Sequence, residues 1–221
     1  MNLSTLELTI RVALVATMIN LPIALVVSWL VVKKRIPGRF VIDALVSLPL
    51  AIPPVVIGFF LLLILGRESP IGSVVHQLLG VDIVFTWVAA SLASALVSFP
   101  LLARAIMVAM GEVDDRLEIS ARSLGAGPWR VAMTITIPLA YRGILAGVLL
   151  GFFRAFSEFG ATITVAGNIP GRTQTLALAI YSRVQLRDDA AALTLAGVSI
   201  LLAAATLLVH NWLLSRASKR T

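Results

Sequence analysis

Five long apolar stretches divide this chain, at 12–32, 44–65, 83–103, 143–166 and 190–209. Four of them carry no charged residue, and 143–166 carries only Arg154 and Glu158. A helix rises 1.5 Å per residue, so about 20 apolar residues cross the hydrocarbon of a bilayer. The pattern predicts an all-α membrane protein with five transmembrane helices in one domain over 1–221. Residues 111–140 interrupt it with a polar, charged segment. There Val113, Leu117, Ala121 and Leu124 fall on one stripe of a helix. Asp115, Glu118 and Arg122 lie on the other side, with Glu118 and Arg122 in the favourable i,i+4 order. Asp114 or Asp115 can cap the start, Gly125 can end the helix in a left-handed turn, and Pro128 suits the first position of a second helix. The expected unit is a helix–turn–helix lying parallel to the membrane. An interfacial helix would carry Lys and Arg on its polar face and bulky anchors opposite. Here the polar face carries acids and the stripe is small at Ala121 and Gly125, which suits a groove in a partner protein.

Prolines and glycines refine the spans. Pro49, Pro53 and Pro54 interrupt 44–65, and each removes a backbone donor. Carbonyls freed at membrane depth must be buried in protein or face a water-lined cavity, so Pro53 and Pro54 are candidates for a kinked pathway helix. Gly143, Gly147 and Gly151 recur every four residues, the spacing of a close helix-packing face. Arg154 and Glu158 are one turn apart, and intramembrane charges mark functional or pairing sites. A mutual pair is the preferred reading; direct coordination of an anion by Arg154 is the sharper alternative. Ser157, Glu158 and Phe159 join Pro53, Pro54 and Arg154 as candidate pathway residues.

Composition agrees with the pattern. Hydrophobic residues make up 59%, charged residues 13%, and the mean hydropathy is +0.99; a soluble domain carries about a quarter charged residues. Zero cysteines exclude disulfides and thiolate metal sites. His76 and His210 belong to no metal-ligand spacing, so no metal site is expected. The net charge of +7 raises the question of nucleic acid or an anionic ligand, and its distribution answers it. Lys33, Lys34, Arg35, Arg39, Arg104, Arg116, Arg122, Arg130, Arg142, Arg216, Lys219 and Arg220 fall on one side of a five-span topology; Arg11, Arg67, Arg172, Arg183 and Arg187 fall on the other. The richer side is expected to be cytoplasmic, with the N-terminus outside and the C-terminus inside. The first span is too long for a signal-peptide core and is followed by Lys33-Lys34-Arg35 rather than a cleavage site, so it is expected to be retained.

The segment Glu118-Ile119-Ser120-Ala121-x3-Gly125-x9-Ile135-x-Ile137-Pro138 resembles the cytoplasmic Glu-Ala-Ala loop of bacterial ABC importer permeases. Ile119, Ser120 and Ile137 depart from that signature, and Ile119 leaves Glu118 the one carboxylate at that place. Ser-Glu-Phe-Gly-Ala at 157–161 and Gly-Asn-Ile-Pro-Gly-Arg-Thr-Gln-Thr at 167–175 are similar to the molybdate branch, whose relatives carry sulfate and thiosulfate. The resemblance implies a type I importer permease fold and a coupling helix that docks on an ATP-binding subunit through Glu118, Ala121, Arg122, Gly125, Ile135 and Pro138. It also implies a homodimer, two ATP-binding subunits that hold ATP-Mg, an external molybdate-binding protein, and a bacterial or archaeal cytoplasmic membrane. The expected function is molybdate import, with sulfate, thiosulfate or tungstate as the alternative. No cofactor is expected on this chain and no catalytic residue. The stretch 167–173 falls one residue short of a phosphate-binding loop and has Arg172 where such a loop needs Lys. An ATP-independent channel or carrier would need no coupling loop. An ion-coupled carrier would favour several buried acids or inverted repeats. An intramembrane enzyme would need H-E-x-x-H or a Ser or Asp with a partner in a span, and the spans lack both.

Overall fold

The computed structural model describes residues 3–34 and 38–218. Arg35, Lys219 and Arg220 lie outside them, as do the side chains of His210 and Arg216. All secondary structure among the described residues is helical: α1 (Leu3–Val32), α2 (Arg39–Ala51), α3 (Pro54–Leu65), α4 (Pro70–Leu79), α5 (Trp87–Gly111), α6 (Asp115–Ser123), α7 (Pro128–Val131), α8 (Ile137–Phe156), α9 (Gly160–Ala166), α10 (Leu176–Gln185) and α11 (Asp189–Ser218), with a π-turn at Ala132–Thr136 joining α7 to α8. Three helical runs are long and apolar enough to cross a membrane: Ser4–Val32, Trp87–Gly111 and Pro128–Phe156. The pair α2 and α3 forms a fourth if counted as one broken span. The fifth apolar stretch is the start of α11, with Asp189–Ala205 apolar.

α1, α5 and α8 make the frame. α1 and α5 run in the same direction: Asn20 Nδ2 donates to Ala95 O at 2.8 Å and Ser98 Oγ at 3.1 Å, and Ser28 Oγ donates to Ala103 O at 3.2 Å. Apolar burial gives no preference between lipid and protein, so buried side-chain hydrogen bonds and close packing hold such helices. α8 runs antiparallel to α5 along its glycines. A Cβ on Gly143 would collide with the Ala109 methyl, one on Gly147 would lie 2.9 Å from Ala105 Cβ, and one on Gly151 would lie 2.7 Å from Leu102 Cδ1. The glycine spacing is thus a packing face, as expected.

Three departures matter for function. The 44–65 span is two helices meeting at 105°, not one kinked helix. Pro53 and Pro54 cannot donate, and Ile52 adopts extended backbone, so the chain turns sharply there. The 143–166 span ends at Phe156 and resumes as α9 after a non-helical step at Ser157–Phe159. Pro128 does not begin a separate helix parallel to the membrane. It begins the long fourth span, continuous with α8 through the π-turn. Pro138 explains that wide turn: its ring displaces the carbonyl four residues back, and the ladder bypasses the clash with Ile137 N bonding to Ala132 O. α4 and α10 are short helices that hydrophobic periodicity did not signal.

Gly147→Leu is expected to destabilise the protein by about 1–3 kcal/mol through overpacking. Gly197→Leu is the matched control, because a Cβ there meets nothing within 4 Å. Thermal melts of the two purified variants check this; equal stabilities contradict the packing face.

Candidate functional site: a short capped helix and two broken spans

α6 is a short helix pinned at its back and open at its front. Asp114 caps it by accepting from Arg116 N at 2.9 Å. At its other end Gly125 has φ +85°, with Ala126 N bonded to Ala121 O and Gly125 N to Arg122 O. Those two bonds make a Schellman ending, which requires the left-handed residue. Only Glu118 of α6 is fully buried. Its Oε1 accepts from Thr136 Oγ1 at 2.8 Å and lies 3.2 Å from Lys33 Nζ; its Oε2 lies 3.1 Å from Arg122. A buried carboxylate is stable only with such partners. Glu118, on the polar side of the predicted helix, therefore faces the protein, while Asp115 and Arg122 on that side stay exposed. Leu117 and Ile119 on α6, and Leu124 and Trp129 just after it, face outward, Leu124 at 90% exposure. Ala121 is half-buried and Arg122 exposed; Val113, at one end of the predicted stripe, is buried. Ile135 is half-buried in the π-turn, and Pro138 is exposed at the start of α8. Glu118 is thus an anchor for the helix, and the outward apolar residues are its free face.

The second constellation lies where the broken spans meet. Gly160, just after the 157–159 step, brings its backbone so close to the α2–α3 break that an added Cβ would lie 3.2 Å from Pro54 Cβ. Gly58 on α3 likewise allows contact with Ala161 and Thr164 of α9. Pro53, Pro54, Glu158 and Phe159 thus belong to one region. Arg154 Nη1 donates to Glu158 Oε2 at 2.7 Å, and Glu158 Oε1 accepts from Ala161 N at 2.8 Å. Glu158 has 2% side-chain exposure and Arg154 30%. Glu158 therefore does two things: it holds Arg154, and it satisfies a backbone donor exposed by the helix break. Phe159 packs against Tyr181 with ring centroids 5.1 Å apart. Ser157 is exposed and borders an apolar cavity of about 230 Å³ between α8 and α11.

Residues 167–175 fold into a tight loop. Gly167 and Gly171 have positive φ, and the amides of Arg172, Thr173 and Gln174 converge on Ile169 O. Those amides point inward, so the loop does not form a phosphate cradle. Asn168, Gln174 and Ser182 bond to one another beside a cavity of about 640 Å³ that Arg183 and Thr194 also line. Among the described residues no cluster of His, Asp and Glu is placed to hold a metal.

Sequence reasoning missed Lys33, Thr136, Asp43 and Arg104. Arg104 makes a two-pronged contact with Asp43, 3.0 and 3.1 Å, and donates to Ser47 Oγ, fastening α2 to α5. A lone acid before one span and a lone arginine ending another were a readable signal of that pair. Lys33 and Thr136 gave none, because their partner Glu118 is distant in sequence.

Residues 11–219 match the family model described as binding-protein-dependent transport system inner membrane component. The chain belongs to this family. It is similar to the molybdenum transport system permease protein ModB of Haemophilus influenzae, 43% identical over 100% of this chain and 96% of that protein. The Escherichia coli K12 protein of the same name is 44% identical, over 93% of this chain and 90% of its own length. A probable sulfate transport system permease protein, cysT of Chlorokybus atmophyticus, is 35% identical over 90% of this chain and 69% of that protein. Among solved structures, the inward-facing MetNI methionine ABC transporter superposes with TM-score 0.67 at 16% identity, covering 95% of this chain and 94% of that one. That likeness shows the type I importer permease fold. A member of this family is a multi-pass membrane subunit, and the chain is not an enzyme.

Ala121→Trp is expected to weaken capture of a cognate ATP-binding subunit by at least roughly tenfold, through a bulky ring on the docking stripe. Pull-down from membranes reads it, and undiminished capture contradicts the docking face. In the second constellation, Arg154→Gln and Glu158→Gln should show a coupling of about 1–3 kcal/mol in a double-mutant cycle. Glu158→Ala should cost more than Arg154→Ala, since Glu158 also serves Ala161 N. Additive effects on thermal stability contradict the pair.

Proposed function

We propose that this chain is the membrane subunit of an ATP-driven importer that carries molybdate by alternating access. The observation that carries the transport reading is α6: a helix whose Glu118 is turned inward and neutralised while Leu117 and Ile119 face out. A channel or a simple carrier has no use for such a face. The substrate reading rests on the two molybdenum permease relatives, similar over nearly the whole chain. Molybdate is a tetrahedral dianion. The broken spans place one net-neutral Arg154–Glu158 pair at their junction rather than a cage of cations, which suits a subunit that passes the ion on while a separate binding protein selects it. The working assembly is a homodimer with two ATP-binding subunits and an external molybdate-binding protein. ATP-driven closure of those subunits draws the two α6 helices together and opens the path outward; hydrolysis resets it. The N-terminus lies outside and the C-terminus in the cytoplasm, by the cation asymmetry. The sulfate permease relative makes sulfate the second reading, a dianion of the same shape.

The topology predicts that Ser4→Cys and Arg172→Cys react with an impermeant thiol reagent in intact cells and that Ser123→Cys does not. Labelling at Ser123 in sealed cells contradicts it. For the substrate, reconstituted vesicles with the cognate ATPase and binding protein should take up labelled molybdate on addition of ATP. Uptake of sulfate at equal efficiency, uncompeted by molybdate, moves the assignment to the sulfate branch.

A further inference from the structure

Lys33 follows the last turn of α1, with its amide still bonded to Trp29 O at 3.0 Å. It is the first of a run of cations, and an exposed ammonium would serve that topological role. Its side chain is instead 3% exposed. The Nζ lies 2.8 Å from Val113 O, 2.8 Å from Asp115 Oδ1 and 3.2 Å from Glu118 Oε1. An ammonium has three protons, and here each has an acceptor. Asp115 and Glu118 are in α6, and Val113 immediately precedes its cap. Beside this contact, Trp29 meets Trp129 edge to face with centroids 6.1 Å apart, and Lys34 lies 5.2 Å above the Trp29 ring. α6 is continuous in chain with α5 on one side and with α7 and α8 on the other. α1 has no such link to it.

The other end of α1 holds the loop that carries the substrate-branch resemblance. Thr9 Oγ1, buried in the core, accepts from Leu176 N at 2.8 Å, where 167–175 passes into α10. Thr9 and Lys33 are 24 residues apart on one helix, about 36 Å at 1.5 Å per residue. α1 thus spans from the coupling helix to that loop, fastened at each end by a buried polar contact.

We propose that Lys33 is a positioning residue for energy coupling: it clamps α6 to α1, so that movement imposed on α6 is transmitted along α1 to the 167–175 loop. This rests on the reading of α6 as the docking helix for an ATPase. The charge is the working feature, since one atom engages both carboxylates and a carbonyl; a neutral side chain of the same length cannot.

The test is substrate uptake per ATP hydrolysed, in vesicles holding the complete complex with its binding protein, normalised to assembled complex. Lys33→Met is expected to lower this ratio roughly fivefold or more, a coupling loss of the size seen when transmitting residues are changed. Lys33→Arg, which keeps the charge, should restore part of it. A purely structural role lowers the amount of complex and leaves the ratio alone. A Lys33→Met ratio equal to wild type overturns the proposal. If Lys33→Met does not accumulate, Lys33→Gln is measured in its place with the same two outcomes. Failure of the wild-type complex to couple uptake to ATP sinks the transport reading instead and is seen before any variant is made.

Discussion

Backbone that leaves the helical conformation inside a bilayer has no water to satisfy it, so its hydrogen bonds must be met from within the protein. This constraint organises the centre of the molecule. The break at Ile52–Pro53 and the break at Ser157–Phe159 are packed against each other, and Gly58 and Gly160 let the two backbones approach. Prolines remove donors at the first break. At the second, Glu158 supplies an acceptor to Ala161 N and is neutralised by Arg154. The charged pair thus serves the start of the new helix, with Glu158 accepting from one of its first N–H groups while Arg154 neutralises it. α1, α5 and α8 are long and closely packed around it, and they fix where the break-to-break contact sits.

The end of the bundle near α6 answers a different need. On the proposed reading α6 is a docking helix, which must be stiff to transmit force and exposed to be grasped. The stiffness comes from side chains rather than from apolar burial. Asp114 and Gly125 close the helix ends, Glu118 ties it to Lys33 and Thr136, and the π-turn forced by Pro138 carries Thr136 in the continuous span that leads into α8. The exposed apolar residues are then left over on the outer face. A helix resting on its own core would have the opposite arrangement, with Leu117 and Leu124 buried and Glu118 in water.

Local signals are legible in the sequence and distant ones are not. The apolar runs, the glycine face of α8, the cap and the left-handed glycine of α6, and the Arg154–Glu158 pair are each carried by contiguous or regularly spaced residues of one element. The 105° bend exceeds the expected kink because proline spacing says that a helix breaks, not in which direction it resumes. Pro128 fits the first position of any helix, so the sequence could not tell a separate surface helix from the opening of a span. Helix periodicity places Glu118 on the polar side of α6 but does not show what covers it, because its partners Lys33 and Thr136 are 85 residues before it and 18 after it. The topological weight of Lys33-Lys34-Arg35 hides the burial of the Lys33 side chain.

The central claim is that the outward face of α6 is where an ATP-binding partner sits, and cross-linking tests it most directly. With Leu124→Cys as the probe and Val81→Cys, exposed in the segment between α4 and α5, as the control, a short bifunctional reagent is applied to the assembled complex. The account predicts that Leu124→Cys joins to the ATP-binding subunit in high yield and Val81→Cys does not. Equal or lower yield at Leu124→Cys contradicts it.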